Sequence, residues 1–334
     1  MVSRISEMDA LQGIVLGSSW AGLPPAGKIF LAIGAVMGVR VALSTLRWVY
    51  AFFLRPAVNV KKLGAWGVVT GATDGIGKAV AMELAKKGLN IVLISRTQAR
   101  LDAAKDEIKG KCPKVEVKTM ACDFSTASDA DYAKLKTAIE ALEGGVAVLY
   151  NNVGVSYEHA EQLQDVSDSQ LDQIIEVNNR ALVKMSKMVM PGMRLRRKGA
   201  VINVTSFEGS ITAPFYAIYG ASKAFVDSFS ASMAVELKGT GVTMASHAPL
   251  YVATKLSIPN EKRRKGSLFV PWPSQWAAGS VKAIGYETFS VPYWAHSVQA
   301  GVFQALPAFA KDKIRYDMSV LIRKIALKKK AKAE

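Results

Sequence analysis

The stretch "WGVVTGATDGIGKAVAMELAKKG", Trp66 to Gly88, decides the fold. It opens on a short apolar run of strand length. "TGATDGIG" (Thr70 to Gly77) then turns the chain, and "KAVAMELAKKG" has the apolar spacing of a helix. A strand running through glycines into a helix is the first half of a β-α-β unit. The pattern repeats downstream. "NIVLISR" is a second strand and "TQARLDAAKDEIKG" a helix. "VEVKTMACDF" is a third strand, and after another helix comes the strand "VAVLYNNVG". Such alternation predicts an α/β fold with a doubly wound parallel sheet of Rossmann type.

Gly71, Gly75 and Gly77 give the turn a Gly-xxx-Gly-x-Gly spacing, which differs from the commoner Gly-x-Gly-xx-Gly. Glycines there permit a tight turn and close approach to a pyrophosphate, and the helix N-terminus attracts the anion. The end of the second strand selects the nucleotide. An acid there would bond a ribose 2′-hydroxyl; this chain has Ser95 and Arg96. Arginine pairs with a 2′-phosphate, so NADPH is the expected cofactor. Asp123, ending the third strand, either accepts a bond from an adenine amino group or caps the following helix.

Further along, "SQLDQIIEVNNRALVKMSKMVMPGM" reads as one helix carrying Asn178 and Asn179 in apolar surroundings, where each amide must find partners. "GAVINVTS" is a strand ending at Ser206. "YAIYGASKAFVDSFSASMAVEL" is a helix with Tyr219 and Lys223 on one face near its start. Ser206 stands at a strand's carboxyl end, where doubly wound folds bind ligands.

Composition excludes several classes. The cysteines are Cys112 and Cys122, too few for a disulfide scaffold or a zinc site, so the main body suits a reducing compartment. His159, His247 and His296 have no metal-ligand spacing. Much of the net charge of +16 lies in "RLRRK" (Arg194 to Lys198), "KRRK" (Lys262 to Lys265) and a tail from Lys311 to Glu334 that carries Lys311, Lys313, Arg315, Arg323, Lys324, Lys328, Lys329, Lys330 and Lys332. Such runs can meet anionic lipid or phosphorylated substrates. No zinc-finger or RNP motif accompanies them, so no nucleic-acid partner is expected.

Before the sheet, "IFLAIGAVMGVRVALSTLRWVYAFFL" (Ile29 to Leu54) is long enough to span a bilayer. Arg40 and Arg47 share one face, and each costs ~2.5–3.5 kcal/mol at mid-membrane, so an interfacial or re-entrant helix competes with a span. A cleaved signal peptide is the weaker reading, because the apolar run is long and no clear cleavage site follows it. Trp48 and Tyr50, followed by Arg55, Lys61 and Lys62, resemble an interface belt with positive charge on the cytosolic side. A second apolar stretch, Phe289 to Ala310, holds Pro292 and Pro307 and reads as a partly buried helix lying on a membrane.

"TGATDGIG", "NNVG" (Asn151 to Gly154), Ser206 and then, thirteen residues later, Tyr219 with Lys223 together resemble the short-chain dehydrogenase/reductases. The likeness covers Gly64 to about Thr254. Val153 and Leu250 depart from the family's usual Ala and Gly at those places. "GAWGVVTGATDGIGKA", "LISRT", "PLYVATK" and "IGYE…VPYWAHS" resemble more narrowly the very-long-chain 3-oxoacyl-CoA reductases of microsomal fatty-acid elongation, especially plant-type members. The 17β-hydroxysteroid dehydrogenases are close relatives of that branch. Lys330 and Lys332 are placed as in an endoplasmic-reticulum retrieval signal.

The resemblance implies NADPH-dependent reduction of a 3-oxoacyl-CoA, with a steroid or retinoid ketone as the alternative. It implies Tyr219 as proton donor, Lys223 as the cation that lowers the phenol's pKa and holds the nicotinamide ribose, and Ser206 as hydrogen-bond donor to the substrate oxygen. Asn178, or its neighbour Asn179, would hold a water for reprotonation. Cofactor contacts would come from Gly71, Thr73, Asp74, Gly75, Ile76, Gly77, Ser95, Arg96, Asp123, Asn151, Val153, Gly154, Tyr219, Lys223, Val252 and Thr254. The implied organisation is an N-terminal segment (1–27), a membrane segment (28–54), an NADP-binding catalytic domain (62–260), a substrate lid and membrane-associated region (261–310) and a basic tail (311–334). The implied setting is the endoplasmic-reticulum membrane, with the catalytic domain in the cytosol. Implied partners are membrane lipid, the condensing enzyme, dehydratase and enoyl reductase of elongation, and a second copy of the chain. Chain-length preference and oligomeric state are not legible in the sequence.

Overall fold

The structure, a computed structural model, describes residues 24–331. Lys332 of the expected retrieval signal and residues 1–23 of the N-terminal segment lie outside the described residues. The chain forms two compact units, divided after Arg55.

The first unit is a helix, α1 (Pro25–Val49), continued by a wider π-type turn at Tyr50–Leu54. Pro25 starts it, where a missing N–H is harmless. No residue of α1 is buried, although it is strongly apolar. Pro25–Leu54 is long and apolar enough to cross a membrane, with a mean hydropathy of 2.0. At the helical rise its length is about 45 Å, against about 30 Å of bilayer hydrocarbon. Near its end Trp48 packs on Phe52, with ring centroids 5.0 Å apart.

The second unit begins at Pro56. It alternates β1 (Trp66–Thr70), α2 (Gly75–Lys86), β2 (Asn90–Ser95), α3 (Gln98–Lys111), β3 (Val117–Ala121), α4 (Asp129–Glu140) and β4 (Val146–Asn151). There follow α5 (Asp168–Ile175), α6 (Ala181–Arg196), β5 (Gly199–Val204), α7 (Ala217–Glu236), β6 (Val242–His247), α8 (Pro273–Lys282), β7 (Phe289–Ser290), α9 (Trp294–Ala305) and α10 (Ala308–Lys330). The strands form one parallel sheet in the order β3-β2-β1-β4-β5-β6-β7. Helices cover both faces, so the central strands are buried throughout. On β2, Ile91 and Leu93 enter the core on one face with Leu84, Ile108 and Trp276. Val92 and Ile94 enter the other with Leu149, Met185 and Met244. Each fully buried Leu or Ile contributes about 1.5–3 kcal/mol.

Two expectations are corrected. The helix predicted through Asn178 is interrupted by a π-type turn at Glu176–Arg180 that separates α5 from α6. The extra residue per turn brings both Asn178 and Asn179 inward, leaving them 2% and 8% exposed. Phe289 to Ala310 is not one helix. Phe289 and Ser290 pair with Ser246 and His247 as the edge strand β7, and α9 follows with Ala295, His296 and Ala300 buried. The basic tail forms the helix α10, in which Arg315 and Ser319 are buried. Arg315 pairs with Glu208, and Arg323 with Asp165 at 2.7 Å, so two of the tail's cations face the protein.

Candidate active site

The sheet order reverses between β1 and β4, and the loops leaving their carboxyl ends flank a crevice suited to a nucleotide. The glycine loop leaves β1. Gly71 has φ +63°, in the left-handed region. A Cβ on Gly77 would lie 2.3 Å from the Gly71 carbonyl oxygen, so the loop folds back on itself without room for a side chain. Asn152 closes the crevice from β4. Its Nδ2 donates to the carbonyls of Thr70 (3.0 Å) and Gly71 (3.3 Å). The backbone N–H groups of Asn152 and Val153 donate to Thr70 Oγ1, each at 3.0 Å. Sequence reasoning chose Asn151 and passed over Asn152. Asn151 instead points into the core, donating to Asn203 Oδ1 (2.9 Å) and Ser186 Oγ (3.0 Å). The signal was the pair itself, since alternation along a strand sends successive side chains opposite ways.

Asp74 caps α2, its Oδ1 accepting from the Gly75 N–H at 2.8 Å. Its Oδ2 meets Lys255 (2.8 Å) and Arg100 (3.3 Å). Burial works against ionisation there, but the Lys255 hydrogen bond, the Gly75 N–H and both cations outweigh it and hold the carboxyl below its usual range. Thr254 lies beside the same loop: a Cβ on Gly75 would come within 3.3 Å of it. Ser95 Oγ is 3.3 Å from Thr73 Oγ1, and Arg96 is exposed at the end of β2. Arg96 and Arg100 therefore stand near the loop as cations available to a phosphate, and Arg100 was not foreseen. Asp123 accepts from the N–H and Oγ of Ser125, at 3.0 and 2.7 Å, and does not cap α4, which Ser128 and Asp131 cap instead. The Ser125 bonds, against partial burial, lower the Asp123 carboxyl, and Arg96 adds to the effect. The glycine turn, the helix N-terminus and the nearby cations fit a dinucleotide phosphate.

The catalytic side lies past β5. Ser206 follows the strand, 8% exposed, with Oγ accepting from the Glu208 N–H at 3.2 Å. Tyr219 and Lys223 stand in the first turns of α7, and the Ser206 hydroxyl is near enough to the Tyr219 phenol to favour its ionised form. Lys223, 5% exposed, donates from Nζ to the Val204 carbonyl at 3.2 Å, and its ammonium is 5.8 Å from the Tyr219 ring centroid. Desolvation pushes the Tyr219 phenol up to about 12, with Glu208 and Tyr251 adding to it against the influence of Ser206. Desolvation pulls the Lys223 ammonium down to about 8, against the attraction of Asp227. For the Tyr219 phenol burial is the dominant influence, and Lys223 Nζ is turned to a backbone carbonyl.

Asn178 and Asn179 divide their work. Asn178 Oδ1 accepts from the Val155 N–H (2.8 Å), and its Nδ2 donates to the Val155 carbonyl (3.0 Å) and to Ser222 Oγ (2.9 Å). Asn179 donates to the Ser222 carbonyl (2.8 Å). A Cβ on Gly154 would lie 3.3 Å from Lys223 Nζ and 3.4 Å from Asn178 Oδ1, so these two polar groups flank Gly154. Ser222, buried between Tyr219 and Asn178, was also missed; a serine inside "YGASK" carries no pattern of its own. Val252 is buried in the core, and Ile76 packs against it. "RLRRK" lies at the end of α6 and "KRRK" at a short turn, neither on the crevice residues described above.

The short chain dehydrogenase family model matches residues 66–265. The very-long-chain 3-oxoacyl-CoA reductase of Homo sapiens is 41% identical over 81% of this chain and 84% of its own length. A very-long-chain 3-oxoacyl-CoA reductase-like protein of Arabidopsis thaliana is 35% identical over 88% of this chain and 94% of its own. Among solved structures, a 7beta-hydroxysteroid dehydrogenase superposes with a TM-score of 0.68 at 23% identity, over 77% of this chain and 99% of that one. A metagenomic short-chain oxidoreductase in complex with NADP has a TM-score of 0.54 at 29% identity, over 64% of this chain and 87% of that one.

Proposed function

This chain belongs to the short-chain dehydrogenase family, and we propose that it reduces very-long-chain 3-oxoacyl-CoA thioesters to 3-hydroxyacyl-CoA with NADPH, the ketone-reducing step of fatty-acid elongation. One observation carries the reading of the reaction: Ser206, buried at the carboxyl edge of the sheet, lies beside the Tyr219 phenol, and the buried Lys223 ammonium is 5.8 Å from the Tyr219 ring centroid. The substrate class rests on the relatives' printed names.

The geometry supports the following roles. The glycine loop and the N-terminus of α2 would hold the pyrophosphate, and Arg96, with Arg100, the 2′-phosphate. NADPH, when bound, supplies the hydride. Tyr219, a phenol held protonated by its surroundings, donates its proton to the carbonyl oxygen as charge develops there. Ser206 hydrogen-bonds the same oxygen. Lys223, a cation under strain from burial, steadies the phenolate left behind and the nicotinamide ribose. Asn178 holds Val155, and so the loop after β4, beside Lys223; a water at that place would return the proton. Asn179 serves as its buttress through the Ser222 carbonyl.

The α1 helix would anchor the protein in the endoplasmic-reticulum membrane with the sheet domain in the cytosol. There it would meet lipid, the other elongation enzymes and a second copy of the chain. The test uses the full chain in membranes. NADPH absorbance should fall with a long-chain 3-oxoacyl-CoA and stay level with steroid and retinoid ketones. Faster turnover of a steroid ketone would move the substrate to that class, and no turnover of any ketone would sink the reading.

A further inference from the structure

Glu208 stands two residues past Ser206 and does two things at once. Its backbone N–H donates to Ser206 Oγ, while its largely buried carboxylate is gripped through both oxygens by one guanidinium nitrogen of Arg315 on α10. Arg315 is 7% exposed. Three further contacts hold α10 to the protein. Thr212 Oγ1 donates to Asp312 Oδ1 at 2.6 Å. The Phe215 and Tyr316 rings lie 5.6 Å apart. Arg323 pairs with Asp165. Phe207, between Ser206 and Glu208, packs edge-on against Phe303 of α9.

We infer that Arg315 is a positioning residue for the Ser206–Tyr219 pair, acting through Glu208. It fixes the turn that supplies Ser206 with its N–H partner, and it cancels a negative charge that would otherwise face the phenol. The inference rests on the roles given above to Ser206 and Tyr219. Arg315 contacts the Glu208 carboxylate, and the phenols whose ionisation its charge opposes are Tyr216, Tyr219 and Tyr251. Burial already raises the Glu208 carboxyl against the pull of Arg315. Without that pull it must either take up a proton or stand as a buried, unpaired anion beside a phenol about to become phenolate.

The sign of the effect follows. In Arg315→Gln, Glu208 is neutral at low pH. As pH rises through its ionisation, the new anion opposes proton release from Tyr219 and the rate falls. The experiment measures kcat against pH for the full chain in membranes, with NADPH binding read by fluorescence. R315Q should lower kcat roughly 10- to 100-fold, as misplacement of a reacting group does, and leave NADPH binding unchanged. It should also show a falling limb absent from the wild type. E208Q/R315Q, with no buried charge to compensate, should lose that limb and run faster than R315Q; R315K should recover part of the rate. R315Q matching the wild type would overturn the inference. So would a double variant no faster than R315Q with the same pH profile. Should R315Q not fold, the neutral pair decides alone: it should fold and keep more than about a tenth of wild-type kcat, because removing both members of a buried pair costs far less than removing one. A folded neutral pair as inactive as Tyr219→Phe, or a neutral pair that does not fold, would overturn it. Failure of the wild type to turn over bears on the proposed function instead.

Discussion

At the glycine loop the protein makes a binding surface by leaving side chains out: Gly71 and Gly77 fold backbone on backbone, and Asn152 braces their carbonyls. On the catalytic side it does the reverse. Ser206, Tyr219, Lys223, Glu208 and Arg315 are polar groups largely withdrawn from water, and burial shifts the proton affinities of Tyr219, Lys223 and Glu208. The first half works through backbone shape, which tolerates changes of charge but not of volume. The second works through electrostatics at low dielectric, which tolerates small changes of volume but not an unmatched charge.

The largest expected effect is on the charged side. Tyr219→Phe should lower kcat about 10³-fold while NADPH affinity stays near wild type, because only the proposed proton donor is removed. An equal loss of NADPH affinity would show that the two halves are not separable. Gly77→Ala should do the converse. Its methyl group would meet the Gly71 carbonyl, costing about 1–3 kcal/mol of stability and weakening NADPH binding in a titration. A variant that bound NADPH normally would mean that the loop relaxes freely. At the exposed rim, Arg96→Ala should raise the NADPH KM roughly tenfold and leave NADH unaffected, a charge-assisted contact being lost. Equal losses for both cofactors would remove Arg96 from the 2′-phosphate.

The smallest effect concerns pH and Lys223. In the folded protein its ammonium titrates near 8, against 10.5 for the unfolded group, so between these values only the unfolded chain holds the proton. Stability measured without added NADPH should therefore rise with pH across that window relative to Lys223→Met, and below it Lys223 should be a net cost. Parallel stability curves for the two proteins would show that Asp227, or relaxation around the site, already compensates the charge.

Much of this was legible in the residues. The strand–glycine–helix repeat predicted the parallel sheet, because apolar runs bounded by glycine turns can bury both faces only between layers of helix. Helix spacing put Tyr219 and Lys223 on one face and the strand pattern placed Ser206 at a strand's end, while their reading as one site came from the family resemblance. The misses have particular causes. Asn151 and Asn152 are identical in type, and strand phase alone separates core from crevice. The π-type turn at Glu176–Arg180 leaves no mark on an apolar periodicity that continues through it. The tail lysines and arginines look alike in sequence, yet Arg315 is buried against Glu208 and Lys313 is exposed.

What the sequence by itself determined is what depends on neighbours along the chain: helix and strand, the glycine turn, the phase that puts Tyr219 and Lys223 on one face. What only the tertiary structure decided is what depends on removal from water. Whether Lys223 lowers the phenol or is itself lowered, and whether Arg315 meets solvent or Glu208, is set by burial and by partners far away in sequence, 107 positions apart in the second case. Desolvation is a property of the folded surroundings, and no spacing of residues encodes it locally.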